Sequence, residues 1–190
     1  MDAYTFLKIK PGLGNTVMNT LVETGIARRV VAVTGKVDLV ARIEDVSVDE
    51  LGTSLLDTLG GIGGIKSSVT SFVVSLRDLG GGSVSWGIPF TIPPPPPPIL
   101  QALVFVKLDS TASLTVVKAM TKSKAIVALA LLTGDIDLMV QVRGRNLGEI
   151  GKTVFKNIRS IPGVTSTSTS VILRSTPHVT SKTRTKKKAR

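Results

Sequence analysis

The 190 residues carry 24 Lys and Arg against 13 Asp and Glu, one His and no Cys, with 42% hydrophobic but only 4% aromatic residues and a net charge of +11. That balance excludes a disordered polymer, disulfides and thiolate metal centres, and it implies a core of Val, Ile, Leu and Ala in a reducing compartment. With His178 as the single histidine, histidine triads and multi-histidine metal sites are excluded too, so no catalytic residue, metal or cofactor is expected.

The chain opens on a β-type run over residues 3–9, and Asp2 and Lys8 interrupt it too early for a secretory signal. Val17, Met18, Leu21 and Val22 then recur at helical spacing. Val30–Val33 and Val37–Ile43 flank Gly35-Lys36, where glycine can take the positive φ of a hairpin turn. A second helix is expected from the capping pattern Ser47-x-x-Glu50, with Leu51, Leu55, Leu56 and Leu59 as its buried stripe. A last strand is expected over 66–76. The glycine run Gly60–Gly64 follows a helix and opens a strand, the reverse of a phosphate-binding loop, and reads as a helix stop.

Residues 77–101 change character, with Gly80-Gly81-Gly82 as a hinge and Pro93–Pro98 as a polyproline II spacer of about 19 Å. Trp86, Ile88, Phe90 and Ile92 lie in this linker, and docking on a neighbouring domain explains them most simply.

Residues 102–173 then repeat 3–74 at a constant offset of 99 without a gap. Val116, Val117 and Met120 mark the first helix, Gly134-Asp135 the turn, Asn146-x-x-Glu149 the second cap, and Ile150, Val154, Phe155 and Ile158 its stripe, before a strand over 165–174. The reading is α+β, with tandem ferredoxin-like βαββαβ domains over 1–76 and 102–174. Both strand faces are apolar: Tyr4 and Phe6 share one, Ala3, Leu7 and Ile9 the other. A second sheet must cover the extra face, within the chain or across a homo-oligomer. The longest apolar runs, such as Ile126–Leu132, fall far short of the roughly 20 residues that span a bilayer, and a soluble cytoplasmic protein without membrane contact is expected.

The hairpins Thr34-Gly35-x-x-Asp38-Leu39 and Thr133-Gly134-x-x-Asp137-Leu138, with Ile161-Pro162-Gly163-Val164 before Thr167-x-Thr169, resemble the effector-binding domain of the Lrp/AsnC family. The resemblance covers both repeats and implies sheet-to-sheet pairing into a dimeric α/β barrel. It also implies an amino-acid effector lined by Gly35, Asp38, Ser68 and Thr70, and by Gly134, Asp137, Thr167 and Thr169 in the second repeat. An aspartate suits the effector's ammonium, and hydroxyls with amides beside the glycine suit its carboxylate. The competing reading is local: the glycines permit the turn, and the aspartates and threonines satisfy nearby backbone. The first repeat departs from the pattern at Gly60–Gly64.

The family's helix-turn-helix has no counterpart before the first strand, so specific operator reading is not expected, and a small-molecule sensor that partners full-length Lrp-type regulators or oligomerises alone is the leading expectation. Seven of the 24 cations fall in 174–190 with no acid, leaving 17 against 13 acids, or +4, for the first 173 residues. The tail 175–190, with Lys182, Arg184, Lys186, Lys187, Lys188 and Arg190, is expected to be disordered when free and suited to non-specific DNA or RNA contacts, the basis of the alternative reading as a nucleic-acid-associated structural protein. Few Asn and Gln beside no Cys suggest an archaeal style of composition. A small oxygenase or isomerase using an aspartate base is a third class.

Overall fold

The computed structural model describes residues 2–44, 47, 56–75, 89–90, 96–109 and 113–177. In chain order they form β1 (Ala3–Ile9), α1 (Gly14–Glu23), β2 (Arg29–Val33), β3 (Leu39–Ile43), α2 (Leu56–Gly61) and β4 (Ile65–Val74). There follow β5 (Leu100–Leu108), α3 (Ser113–Met120), β6 (Ile126–Leu132), β7 (Leu138–Gly144), α4 (Leu147–Thr153) with a π-helical continuation over Val154–Arg159, and β8 (Val164–Ser175).

Local chemistry accounts for the ends of these elements. Helix α1 buries Val17, Met18 and Leu21 on one stripe and stops at Thr24-Gly25, where Gly25 takes φ +74°. Helix α4 starts where the Asn146 side chain accepts the Glu149 N–H at 2.9 Å. The returning half of that cap differs from the expected box: Glu149 accepts the main-chain N–H of Arg145 and also pairs with its guanidinium. The hairpin turns hold Gly35 at φ +102° and Gly134 at φ +98°.

Within residues 3–74 the strand order is β4-β1-β3-β2, and within 100–175 it is β8-β5-β7-β6, all antiparallel. Two seams join these half-sheets. At one, β2 pairs with β8 through Val31↔Ser175 and Val33↔Ile172; at the other, β4 pairs with β6 through Val73↔Leu132 and Val74↔Leu131. The result is one closed eight-stranded barrel. The second sheet that the apolar strand faces demand therefore comes from the same chain, and no second protomer is needed to cover them.

Strand alternation sorts the core into three clusters. Ala3, Leu7, Ile9, Ala41 and Ile43 face outward onto α1 and α2, and Ala102, Val104, Val106, Val140 and Val142 face outward onto α3 and α4. Tyr4, Phe6, Val31, Val40, Leu103, Ala130 and Met139 fill the barrel. Opening the barrel would expose this third set, at a cost of about 1.5–3 kcal/mol for each large side chain. Toward one end of the barrel Phe6 and Phe105 meet edge to face at 5.6 Å.

Several expectations need correction. Phe155, assigned to a buried stripe, is 63% exposed, whereas Ile150, Val154 and Ile158 are buried. The π-helical turn beginning at Val154 re-phases the helix, and Arg159 sits over the Phe155 ring at 5.2 Å. The expected polyproline II spacer does not extend to its last proline: in its described part the chain turns at Pro96–Ile99, with the Ile99 N–H on the Pro96 carbonyl. Strand β8 reaches Ser175, and Thr176 still exchanges two hydrogen bonds with Val30, so the barrel includes the first residues assigned to the tail. Ser47-x-x-Glu50, Leu51, Leu55, Trp86, Ile88, Ile92 and Gly80–Gly82 fall wholly or partly outside the described residues. Among the described residues no helix is long and apolar enough to cross a membrane.

Candidate functional site

The two hairpins place their residues in matching ways. Asp38 accepts the Ile9 N–H at 2.8 Å, and Asp137 accepts the Leu108 N–H at 2.7 Å. Each donating amide lies where the register of β1 or β5 slips against the last strand of its half, a position that leaves a donor without a ladder partner. One carboxylate oxygen of each aspartate is thus used locally, as the competing reading expected. The main chain of each aspartate is held as well, with the Asp38 N–H on Leu7 and the Asp137 N–H on Val106.

The hydroxyl residues lie one strand away, on the outward face. Ser68 is opposite Leu7 and Thr70 opposite Thr5 on β4; Thr167 is opposite Val106 and Thr169 opposite Val104 on β8. These positions differ in what their neighbours offer. Thr70 shares a 2.9 Å hydrogen bond with the fully buried Thr5 hydroxyl, so it serves a core polar group. The aliphatic Val104 offers Thr169 no such partner, and Thr169 is exposed. The first half thus commits its threonine internally, and the second half presents one outward.

Gly35 and Gly134 do not join these clusters; each lies against the other half. A Cβ on Gly35 would come within 3.0 Å of Ser170 Oγ, and one on Gly134 within 3.5 Å of Ser71 Oγ. The preceding threonines form a clasp that sequence reading missed. The Thr34 N–H donates to the Val171 carbonyl and the Thr34 hydroxyl accepts the Val171 N–H; Thr133 does the same with Phe72. Only the repetition of Thr before Gly signalled it. Lys182, Arg184, Lys186, Lys187, Lys188 and Arg190 lie outside the described residues.

A second polar cluster, unexpected from sequence, occupies the other end of the barrel. Arg29 and Arg42 are cross-strand neighbours, each 5% exposed. Arg42 is ion-paired to Asp2 at 2.9 Å and to Glu44 at 3.1 Å. Burial, reinforced by the adjacent Arg42 charge, pulls the Arg29 guanidinium below its ordinary value. Burial also pushes the Tyr4 phenol well above its usual range, only partly opposed by Arg42. Among the described residues no group of three or more His, Cys, Asp or Glu could hold a metal ion.

Residues 101–181 match the family model described as the Lrp/AsnC ligand binding domain. The chain is 34% identical over 86 residues to the HTH-type transcriptional regulator LysM of Sulfurisphaera tokodaii, in a match covering 45% of this chain. It spans 61% of the length of that curated relative. Among solved structures, the siroheme decarboxylase NirDL superposes with a TM-score of 0.64 at 9% identity, covering 92% of this chain and 72% of that one. A mutant chlorite dismutase from Candidatus Nitrospira defluvii gives a TM-score of 0.50 at 11% identity, covering 90% of each chain. At such identities these likenesses concern the fold alone.

Proposed function

Starting from a second half similar to the Lrp/AsnC ligand binding domain, we propose that the chain is a non-catalytic sensing and oligomerising module of the kind used by Lrp/AsnC transcriptional regulators. It is built from a duplicated βαββαβ unit, takes an amino-acid effector and partners regulators of that type. The observation that carries this reading is the asymmetry at the last strands. In the matched half, Thr169 is exposed beside an aliphatic neighbour on the outward face that also carries Thr167, while its counterpart Thr70 is tied to buried Thr5. With Asp137, these hydroxyls supply the acceptor and donors that an amino acid requires.

A thermal-shift screen of the twenty amino acids tests the reading, since a ligand that binds only the folded form raises the melting temperature. At least one amino acid should give a saturable rise that Thr169→Val abolishes without lowering the melting temperature of the free protein. If none shifts the folded protein, the sensing role is wrong.

The charge of the tail favours a second reading, in which the barrel supplies assembly and residues 178–190 bind DNA or RNA without sequence preference. Truncation after Pro177 should then abolish a salt-sensitive gel shift and leave assembly intact. Unchanged nucleic-acid binding would remove this alternative.

A further inference from the structure

Among the described residues, two from the connecting segment, Pro89 and Phe90, enter the barrel end containing Arg29. Phe90 is 2% exposed, belongs to the interior cluster and meets Tyr4 edge to face at 5.7 Å. Three side chains address the main chain of this dipeptide. The Tyr4 hydroxyl donates to the Pro89 carbonyl at 2.8 Å, the Phe90 N–H donates to Gln141 Oε1 at 3.0 Å, and Arg29 donates to the Phe90 carbonyl at 2.7 Å. Gln141 is itself oriented by donating to Gln101. A carbonyl, an amide N–H, an aromatic ring and a second carbonyl facing a buried guanidinium are thus recognised in that order. What remains beside Phe90, Arg29 and Gln141 is a cavity of about 10 Å³, room for no more than one water.

This set of contacts is more than a hydrophobic plug needs, because an aromatic side chain alone would fill the space. It corresponds group by group to an N-acylated aromatic amino acid. The acyl carbonyl would take the Tyr4 hydroxyl, the amide N–H would take Gln141, and the carboxylate would take Arg29. A carboxylate at this place would take a charge-assisted hydrogen bond from the buried Arg29 guanidinium, where the neutral Phe90 carbonyl now accepts one. Phe90 also takes φ +73°, a conformation unfavourable for a residue with a side chain. A ligand not tethered to the chain at both ends need not adopt it.

We propose that this end of the barrel is a binding site for N-acylated aromatic amino acids, whether free or at the end of a peptide, and that Pro89–Phe90 occupies it in cis. The site lies apart from Asp137 and Thr169, so its fate does not depend on the effector reading above. Occupation by a tethered segment lowers the apparent affinity for a free ligand by the fraction of time the site is filled.

Calorimetric titration of the full chain with N-acetyl-L-phenylalanine tests this. In Phe90→Gly, where glycine tolerates the backbone and the ring is gone, the probe should bind at least about tenfold more tightly than in wild type. N-acetyl-L-alanine should not bind, and adding Gln141→Leu should weaken binding by about tenfold. A tetrapeptide ending in Pro-Phe assigns the source: tighter binding than the probe points to peptide ends, weaker binding to free N-acyl amino acids. The proposal is overturned if folded Phe90→Gly gives no saturable heat down to about 1 mM affinity, or if N-acetyl-L-alanine binds equally well. Should that variant not fold, wild type decides through the fluorescence of its single tryptophan, Trp86, four residues before Phe90: a saturable change with the probe alone upholds the site, and no change overturns it.

Discussion

The proposed function gives Asp137 two roles that substitution can separate. Replacing it with Ala removes the acceptor for the Leu108 N–H and should cost about 1–3 kcal/mol by denaturant unfolding. Asp137→Asn keeps an oxygen for that amide and should leave stability nearly unchanged while eliminating amino-acid binding, because the ammonium loses its counter-charge. Tyr4 governs behaviour at high pH. Burial raises its pKa in the folded state, so its contribution is complete below the unfolded value of about 10 and declines as pH rises beyond it. Tyr4→Phe should flatten that alkaline loss in a pH series of melting curves and cost about 1 kcal/mol near neutrality through the lost Pro89 contact. Gly35, Asp38, Gly134 and Asp137 were legible in the sequence because turn chemistry is local. The Tyr4–Pro89, Arg29–Phe90 and Phe90–Gln141 bonds span 85, 61 and 51 residues, and no periodicity reports partners so distant.

At the scale of elements, the two clasps hold each hairpin tip to the last strand of the opposite half. Thr34→Val and Thr133→Val each leave one main-chain amide without its side-chain acceptor, at a cost of about 1 kcal/mol. The clasps lie at opposite seams, so the double variant should show nearly additive losses in chemical denaturation. The end of β8 yields a related expectation. Truncation after Arg174 removes the pairing of Ser175 and Thr176 with β2 and should lower the melting temperature, whereas truncation after Pro177 should not. Element types follow well from the pattern of apolar residues, as Ile150, Val154 and Ile158 illustrate. Phe155 did not follow, because a π-helical turn changes the period on which a helical stripe is counted.

For the whole molecule, the requirement for a second sheet could be read from Tyr4 and Phe6 opposing Ala3, Leu7 and Ile9, but not where that sheet comes from. Composition of the connecting segment left cis and trans closure open. What closes the barrel within the chain is the pair of seams, together with Phe90 seated among residues of both halves. The candidate effector site was legible only in part, since the difference between Thr70 and Thr169 depends on whether Thr5 or Val104 stands across the strand, a matter of register. On the proposed reading, that difference also sets the number of effector sites in each chain. Isothermal titration of the chain with the amino acid giving the largest thermal shift should show one molecule bound per chain, with the heat lost in Thr169→Val and retained in Thr70→Val. Two molecules bound per chain, or binding that survives Thr169→Val, would contradict a site confined to the second half.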